Sequence, residues 1–216
     1  MTDHTGSQFS LYSVFACPDP SALAPGGAVA AAAAIEAAGA EVRGYYDIGG
    51  YRAEADLMVW FTADQADKVQ DAYRGLRRAF GPGLVPVWSV MGTVTAAEFN
   101  KQHWPGYLSH DAQNYMAVYP FVRSYEWYVM DPAERSRILR DHGAAGAPFD
   151  DATVSTLATF ALSDYEWVIA VEAETPQRIS ELMRAFRNTE ARLHVRVEIP
   201  FYTGRRVTLE EWVARQ

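Results

Sequence analysis

"DLMVWFTADQADKVQDAYRGLRRA" (residues 56–79) and "EWVIAVEAETPQRISELMRAFRNT" (residues 166–189) stand 110 residues apart and agree position by position in residue kind. Apolar runs coincide at 57–61 and 167–171, of strand length and rich in β-branched and aromatic residues. Behind each run Ala63 meets Ala173, Asp64 meets Glu174, Lys68 meets Arg178, Arg74 meets Arg184 and Arg77 meets Arg187. Apolar residues then recur at helical spacing: Val69, Ala72, Tyr73 and Leu76 in the first copy, Ile179, Leu182, Met183 and Phe186 in the second. Each copy therefore predicts a strand followed by an amphipathic helix.

The correspondence extends outward. Upstream, "LYSVFA" (11–16) and "YMAVYP" (115–120) are short β-rich runs; downstream, "VPVWSVMGTV" (85–94) and "IPFYTGRRV" (199–207) share a Pro, an aromatic and a Gly. A full copy predicts strand, helix, strand, strand, helix and a further strand, which is a ferredoxin-like α+β unit. The boundaries are an N-terminal repeat over 8–95, an inter-repeat loop over 96–113 and a C-terminal repeat over 114–210. Each sheet has one face covered by helices and one bare apolar face. Two units in one chain are thus expected to pack sheet on sheet as a dimeric α+β barrel.

Composition narrows the partners. A net charge of −8 over 216 residues argues against nucleic acid or an anionic membrane surface, which are bound through clustered Lys and Arg. "AVAAAAAIEAAGA" (28–40) is too short and too weakly apolar to span a bilayer, and no charged-then-apolar leader is seen, so a cytoplasmic location is expected. Cys17 is the lone cysteine, which excludes an internal disulfide and a thiolate metal cage. An aromatic content of 13% suits a pocket for a large flat ligand and a well-packed β core equally.

Any metal must then be held by His or carboxylate, or arrive inside a cofactor. His4 lies in a polar tail, His110 in a polar loop, and His194 in "ARLHVRVE", where alternation assigns it a structural place on a strand. No HExxH or paired-His pattern is present. A single histidine can still hold an iron that brings four nitrogens of its own. His142, in "LRDHGAAGAPF" (139–149), closes a charged helix-like stretch ahead of small, flexible residues; there an imidazole serves as axial ligand or as complement to the helix dipole. "YMAVYPFVRSYEWYVM" (115–130) is the densest aromatic stretch, and strand alternation puts Tyr119 and Arg123 on one face. A phenol beside a guanidinium suits an oxidisable, acidic ligand; an ordinary aromatic–Arg contact gives the same pattern.

In order, "FNKQHWPGYL" (99–108), "YPFVRSYEWY" (119–128), "DHG" (141–143), "DYEW" (164–167), "RNTEARLHVR" (187–196) and "PFYTGRR" (200–206) resemble the chlorite dismutase-like superfamily. Within it they resemble the actinobacterial coproheme decarboxylases, from about residue 10 to 207. The resemblance implies a tandem ferredoxin-like fold, a homopentamer, and haem synthesis: peroxide-driven conversion of two propionates of iron coproporphyrin III to vinyl groups, giving haem b. It implies His142 as the iron ligand, Tyr119 as the redox-active tyrosine and His103 as the base that deprotonates hydrogen peroxide. Arg123 and Trp127 fall at substrate-binding positions, and Glu190 at that of a carboxylate partner of the ligating imidazole.

Chlorite-converting members carry a distal arginine on the strand after the iron ligand. The corresponding "TVSTLATF" (153–160) has Val154 near that place and no arginine, which counts against chlorite as substrate. Two departures from the pattern alter the pocket: Ala144–Pro148 replace bulky residues and an arginine, and Trp104 stands where smaller aliphatics are common. A haem-dependent peroxidase-like enzyme of other specificity, or a non-catalytic haem-binding protein, are the alternatives on the same residues.

Overall fold

The computed structural model describes residues 8–95 and 104–216, which divide into two units. The first unit contains β1 (Phe9–Ala16), α1 (Gly27–Ala37), β2 (Glu41–Asp47), β3 (Leu57–Ala63), α2 (Ala66–Phe80) and β4 (Val85–Thr93). All its pairings are antiparallel, in the order β4-β1-β3-β2. Leu57, Val59 and Phe61, alternate residues of β3, pack with Phe15 and with Val69, Ala72, Leu76 and Phe80 of α2. The Ala-rich segment forms α1, and its small residues allow a close helix pair: a Cβ on Gly75 of α2 would lie 2.9 Å from that of Ala34. The turn after α2 depends on Gly81 at φ +66°, a conformation glycine adopts without steric cost.

The second unit repeats the plan with β5 (Tyr115–Arg123), α3 (Pro132–Gly146), β6 (Thr153–Ala158), β7 (Trp167–Ala173), α4 (Pro176–Arg187) and β8 (Val195–Val197). Its pairings β8-β5-β7-β6 reproduce the ferredoxin-like order. Both helices have the expected start signals. Asp131 accepts from the Ala133 and Glu134 amides ahead of α3, Thr175 from that of Arg178 ahead of α4, and each helix has Pro at its first position.

The C-terminal boundary differs from the sequence expectation. Residues 202–216 belong with the first unit: β9 (Tyr202–Val207) pairs antiparallel with β2, Tyr45 facing Val207 and Asp47 facing Arg205. Gly204 permits this, since a Cβ there would sit 2.6 Å from the Asp47 carbonyl oxygen. The sixth strand of the second repeat is instead the short β8. His194 ends a 3-10 turn (Glu190–His194) before it, and does not lie on the strand. After β9, α5 (Leu209–Val213) starts at a Thr208–Glu211 capping box and buries Trp212 in the first unit's core.

Of the inter-repeat loop, residues 104–113 are described. Gly106–Leu108 form a 3-10 turn whose Tyr107 amide donates to Ser155 of β6 at 3.0 Å. Among the described residues no helix is long and apolar enough to cross a membrane.

Candidate functional site

A cavity of about 570 Å³ opens in the second unit. Tyr119, Phe121 and Arg123 line it from one face of β5, with Trp167 and Ile169 from β7 and Val154 and Thr156 from β6. Leu139, His142, Gly143 and Gly146 of α3 share a helix face toward it, spaced as one helical stripe requires. Leu182 and Phe186 of α4 complete an apolar wall, and Arg187, Arg192 and Glu198 add charge.

His142 stands within the last turns of α3, which continues through Ala144 and Ala145 to Gly146. The small residues extend the helix, contrary to the flexible segment expected. They leave room: a Cβ on Gly143 would touch nothing within 4 Å, and one on Gly146 would press on Phe186 at 3.0 Å. The imidazole lies on the Phe186 ring, centroids 4.2 Å apart, and its Nδ1 is 2.9 Å from Thr189 Oγ1. Burial, reinforced by the Arg123 and Arg187 charges, lowers its pKa to about 4. At neutral pH the ring is therefore uncharged and able to bind a metal.

Tyr119 is 3% exposed and stacked on Phe201, with centroids 4.4 Å apart. Burial raises its phenol well above the ordinary tyrosine range, the Glu198 charge adding to the effect and Arg187 opposing it. The Arg123 guanidinium lies over Trp127 at 4.1 Å and Phe121 at 4.9 Å. Its backbone amide donates to Glu166 at 2.8 Å, and the same carboxylate accepts from Tyr128 at 2.9 Å.

A family model described as chlorite dismutase matches residues 27–207. The chain belongs to the chlorite dismutase family. It is 46% identical over 180 residues to a coproheme decarboxylase of Mycolicibacterium smegmatis, covering 82% of this chain and 78% of that protein. A coproheme decarboxylase of Staphylococcus carnosus is 20% identical over 163 residues, covering 67% and 65%. Among solved structures, a mutant chlorite dismutase from Candidatus Nitrospira defluvii has the same fold at TM-score 0.82 and 18% identity, covering 96% of this chain and 94% of that one. A putative chlorite dismutase is equally similar, at TM-score 0.82 and 17% identity, covering 97% and 99%.

In this family member Tyr119, Arg123 and His142 line one cavity. Two expected residues stand elsewhere. Trp127 is fully buried among Ile138, Leu139 and Ala191, so its indole supports Arg123 from beneath and does not line the cavity. Glu190 bonds Arg137 at 2.6 Å on the surface, in a cluster with Glu134 and Asp141, while the imidazole is bonded by the preceding residue, Thr189. His103 lies outside the described residues. His110 lines the cavity but is exposed, its Nδ1 2.9 Å from the Gly106 carbonyl; His194 Nδ1 meets Ser124 at 3.2 Å in a structural contact.

Sequence reasoning missed Thr189, Met183 as a neighbour of the Tyr119 phenol, and the ion pairs of Glu198 with Arg187 and Arg192, both 2.8 Å. Thr189 lay inside the quoted "RNTEARLHVR", and a search for any hydroxyl or carboxylate near residue 190 would have found it. Among the described residues no group of three or more His, Cys, Asp or Glu is placed to hold a metal ion.

Proposed function

We propose that this protein is a coproheme decarboxylase, converting two propionates of iron coproporphyrin III to vinyl groups with hydrogen peroxide and yielding haem b. The observation that carries this function is the meeting of a neutral imidazole, His142, and a buried phenol, Tyr119, on one cavity whose wall also holds Arg123. The 46% identity to a coproheme decarboxylase supports the same substrate.

The residues present fit an iron porphyrin. The cavity volume of about 570 Å³ lies within the range of small-molecule and cofactor sites. Its walls are mostly apolar, and no protein-only metal cage competes for the iron among the described residues. His142 would ligate the iron, and Arg123, Arg187 and Arg192 supply positive charge for propionate carboxylates. When bound, the iron porphyrin supplies the peroxide-dependent oxidising power.

Tyr119, as a phenoxyl radical, takes a hydrogen atom from the propionate β-carbon and so regains its O–H. Loss of a second electron breaks the bond to the carboxylate, releases carbon dioxide and leaves a vinyl group. Each propionate gives up two electrons, and one peroxide becomes two waters. Arg123, its guanidinium 4.1 Å from the Trp127 ring centre, orients the carboxylate. His103 is the proposed base for peroxide, histidine being the side chain type suited to proton transfer near neutral pH. A homopentamer, as the family resemblance implies, and a cytoplasmic location complete the proposal.

Titration of the porphyrin-free protein with iron coproporphyrin III, then with stoichiometric peroxide, tests it by product mass. Two successive losses of the elements of formic acid are expected. Binding with an unchanged porphyrin mass would overturn the decarboxylase assignment in favour of another peroxide-driven oxidation.

A further inference from the structure

The hydroxyl of Thr189 sits between two partners. It donates to the Phe186 carbonyl oxygen at 2.8 Å, and its oxygen lies 2.9 Å from His142 Nδ1. A hydroxyl has one proton, and the Phe186 carbonyl lies within reach to take it. With its proton directed at Phe186, the Thr189 oxygen accepts from His142. That arrangement places the imidazole hydrogen on Nδ1 and the lone pair on Nε2.

We propose that Thr189 is a positioning residue that fixes His142 as the Nδ1–H tautomer and holds Nε2 as the nitrogen offered to the iron. The last turn of α4 and the residues just after it supply the whole device. Phe186 provides the ring stacked on the imidazole at 4.2 Å and the carbonyl that orients the hydroxyl; Thr189, three residues on, provides the acceptor. Plane and tautomer are thus set together. The acceptor is a neutral hydroxyl whose own proton is already engaged, so it polarises Nδ1–H less than a carboxylate. The resulting ligand has imidazole rather than imidazolate character. Its bearing on iron rests on the function proposed above, but the tautomer can be measured without iron.

Long-range proton–nitrogen correlation spectra of the ¹⁵N-labelled, porphyrin-free protein at pH 7.5 decide the tautomer. The wild type and Thr189→Ser are expected to show His142 protonated on Nδ1, and Thr189→Val to show the Nε2–H form appearing. An Nε2–H ring in the wild type, or an unchanged Nδ1–H ring in Thr189→Val, would overturn the proposal. In the ferrous haem b complex, the iron–histidine stretching band should shift down in Thr189→Val, with affinity about tenfold lower, and up in Thr189→Asp. An unmoved band in both variants would overturn the assigned donor strength. Failure of haem b and iron coproporphyrin III alike to bind through His142 would overturn the proposed function, while the nitrogen spectra would still decide the tautomer.

Discussion

The phenol of Tyr119 donates its hydrogen bond to the thioether sulfur of Met183, 3.5 Å away on α4. A thioether accepts weakly and carries no proton at any accessible pH, so this contact orients the phenol without drawing its proton off. Tyr119→Phe is expected to abolish decarboxylation yet leave porphyrin binding intact. Its stability cost should be about 1 kcal/mol, the usual scale of one hydrogen bond. Single-turnover mass analysis and a denaturant titration would show both; a variant that still forms vinyl groups would remove Tyr119 from the chemistry.

Replacing Met183 by Leu is nearly volume-conserving and is expected to cost less than about 1.5 kcal/mol. It deletes the sulfur acceptor, so turnover should slow more than binding weakens. Parallel measurement of kcat and KM separates the two. A change confined to KM would assign Met183 to packing alone.

The half-buried His142 makes stability depend on pH. Its pKa is about 4 in the fold against an ordinary 6.5, so between those values the unfolded chain binds a proton that the folded chain does not. Stability therefore falls as pH drops through that window; above 6.5 both states are neutral and the residue adds no slope. Urea midpoints of the porphyrin-free protein between pH 7 and 4.5 should fall further for wild type than for His142→Gln. The difference should be on the order of 1–2 kcal/mol once solvent screening of the half-buried ring is allowed for. Equal pH dependence of the two proteins would contradict the assignment.

Glu190→Ala should leave the proposed iron site unchanged. The carboxylate belongs to a surface cluster around Arg137, where exposed pairs contribute roughly 0–1 kcal/mol. An altered visible spectrum of the haem b complex in Glu190→Ala would restore the carboxylate to the role that Thr189 fills here.

Trp212 has no exposed surface, meets Phe80 edge-on at 6.1 Å and donates from its indole to the Asp56 carbonyl at 3.2 Å. Trp212→Ala is expected to cost about 3–5 kcal/mol. A guanidinium titration following the first unit would detect it, and a loss below 1 kcal/mol would mean that α5 is dispensable.

The sequence carried the repeated strand–helix pairs because periodicity reports which face is buried, and both amphipathic helices fall where their apolar spacing puts them. It carried β9 as a strand but not its partner. "IPFYTGRRV" has the Pro, aromatic and Gly of its counterpart, but its pairing with β2 is set by a close backbone approach at Gly204 that leaves no local pattern. Near His142 the difficulty is one of phase. Residues 189 and 190 are both polar and lie at an irregular turn, where neither the 3.6 nor the 2.0 period says which side chain faces inward. Trp127 shows a different limit: an aromatic in a signature motif reads the same whether it touches the ligand or holds up the residue that does.

Return of β9 to β2 makes the first unit discontinuous along the chain, with the whole second unit encoded inside it. During synthesis β1 to β4 can assemble early, yet β2 stays an open edge until residues 202–207 have been made. The second unit, continuous from 95 to 201, has no such wait. The half that holds the cavity is thus encoded before the strand that closes the half preceding it, and loss of residues 202–207 would expose the β2 edge.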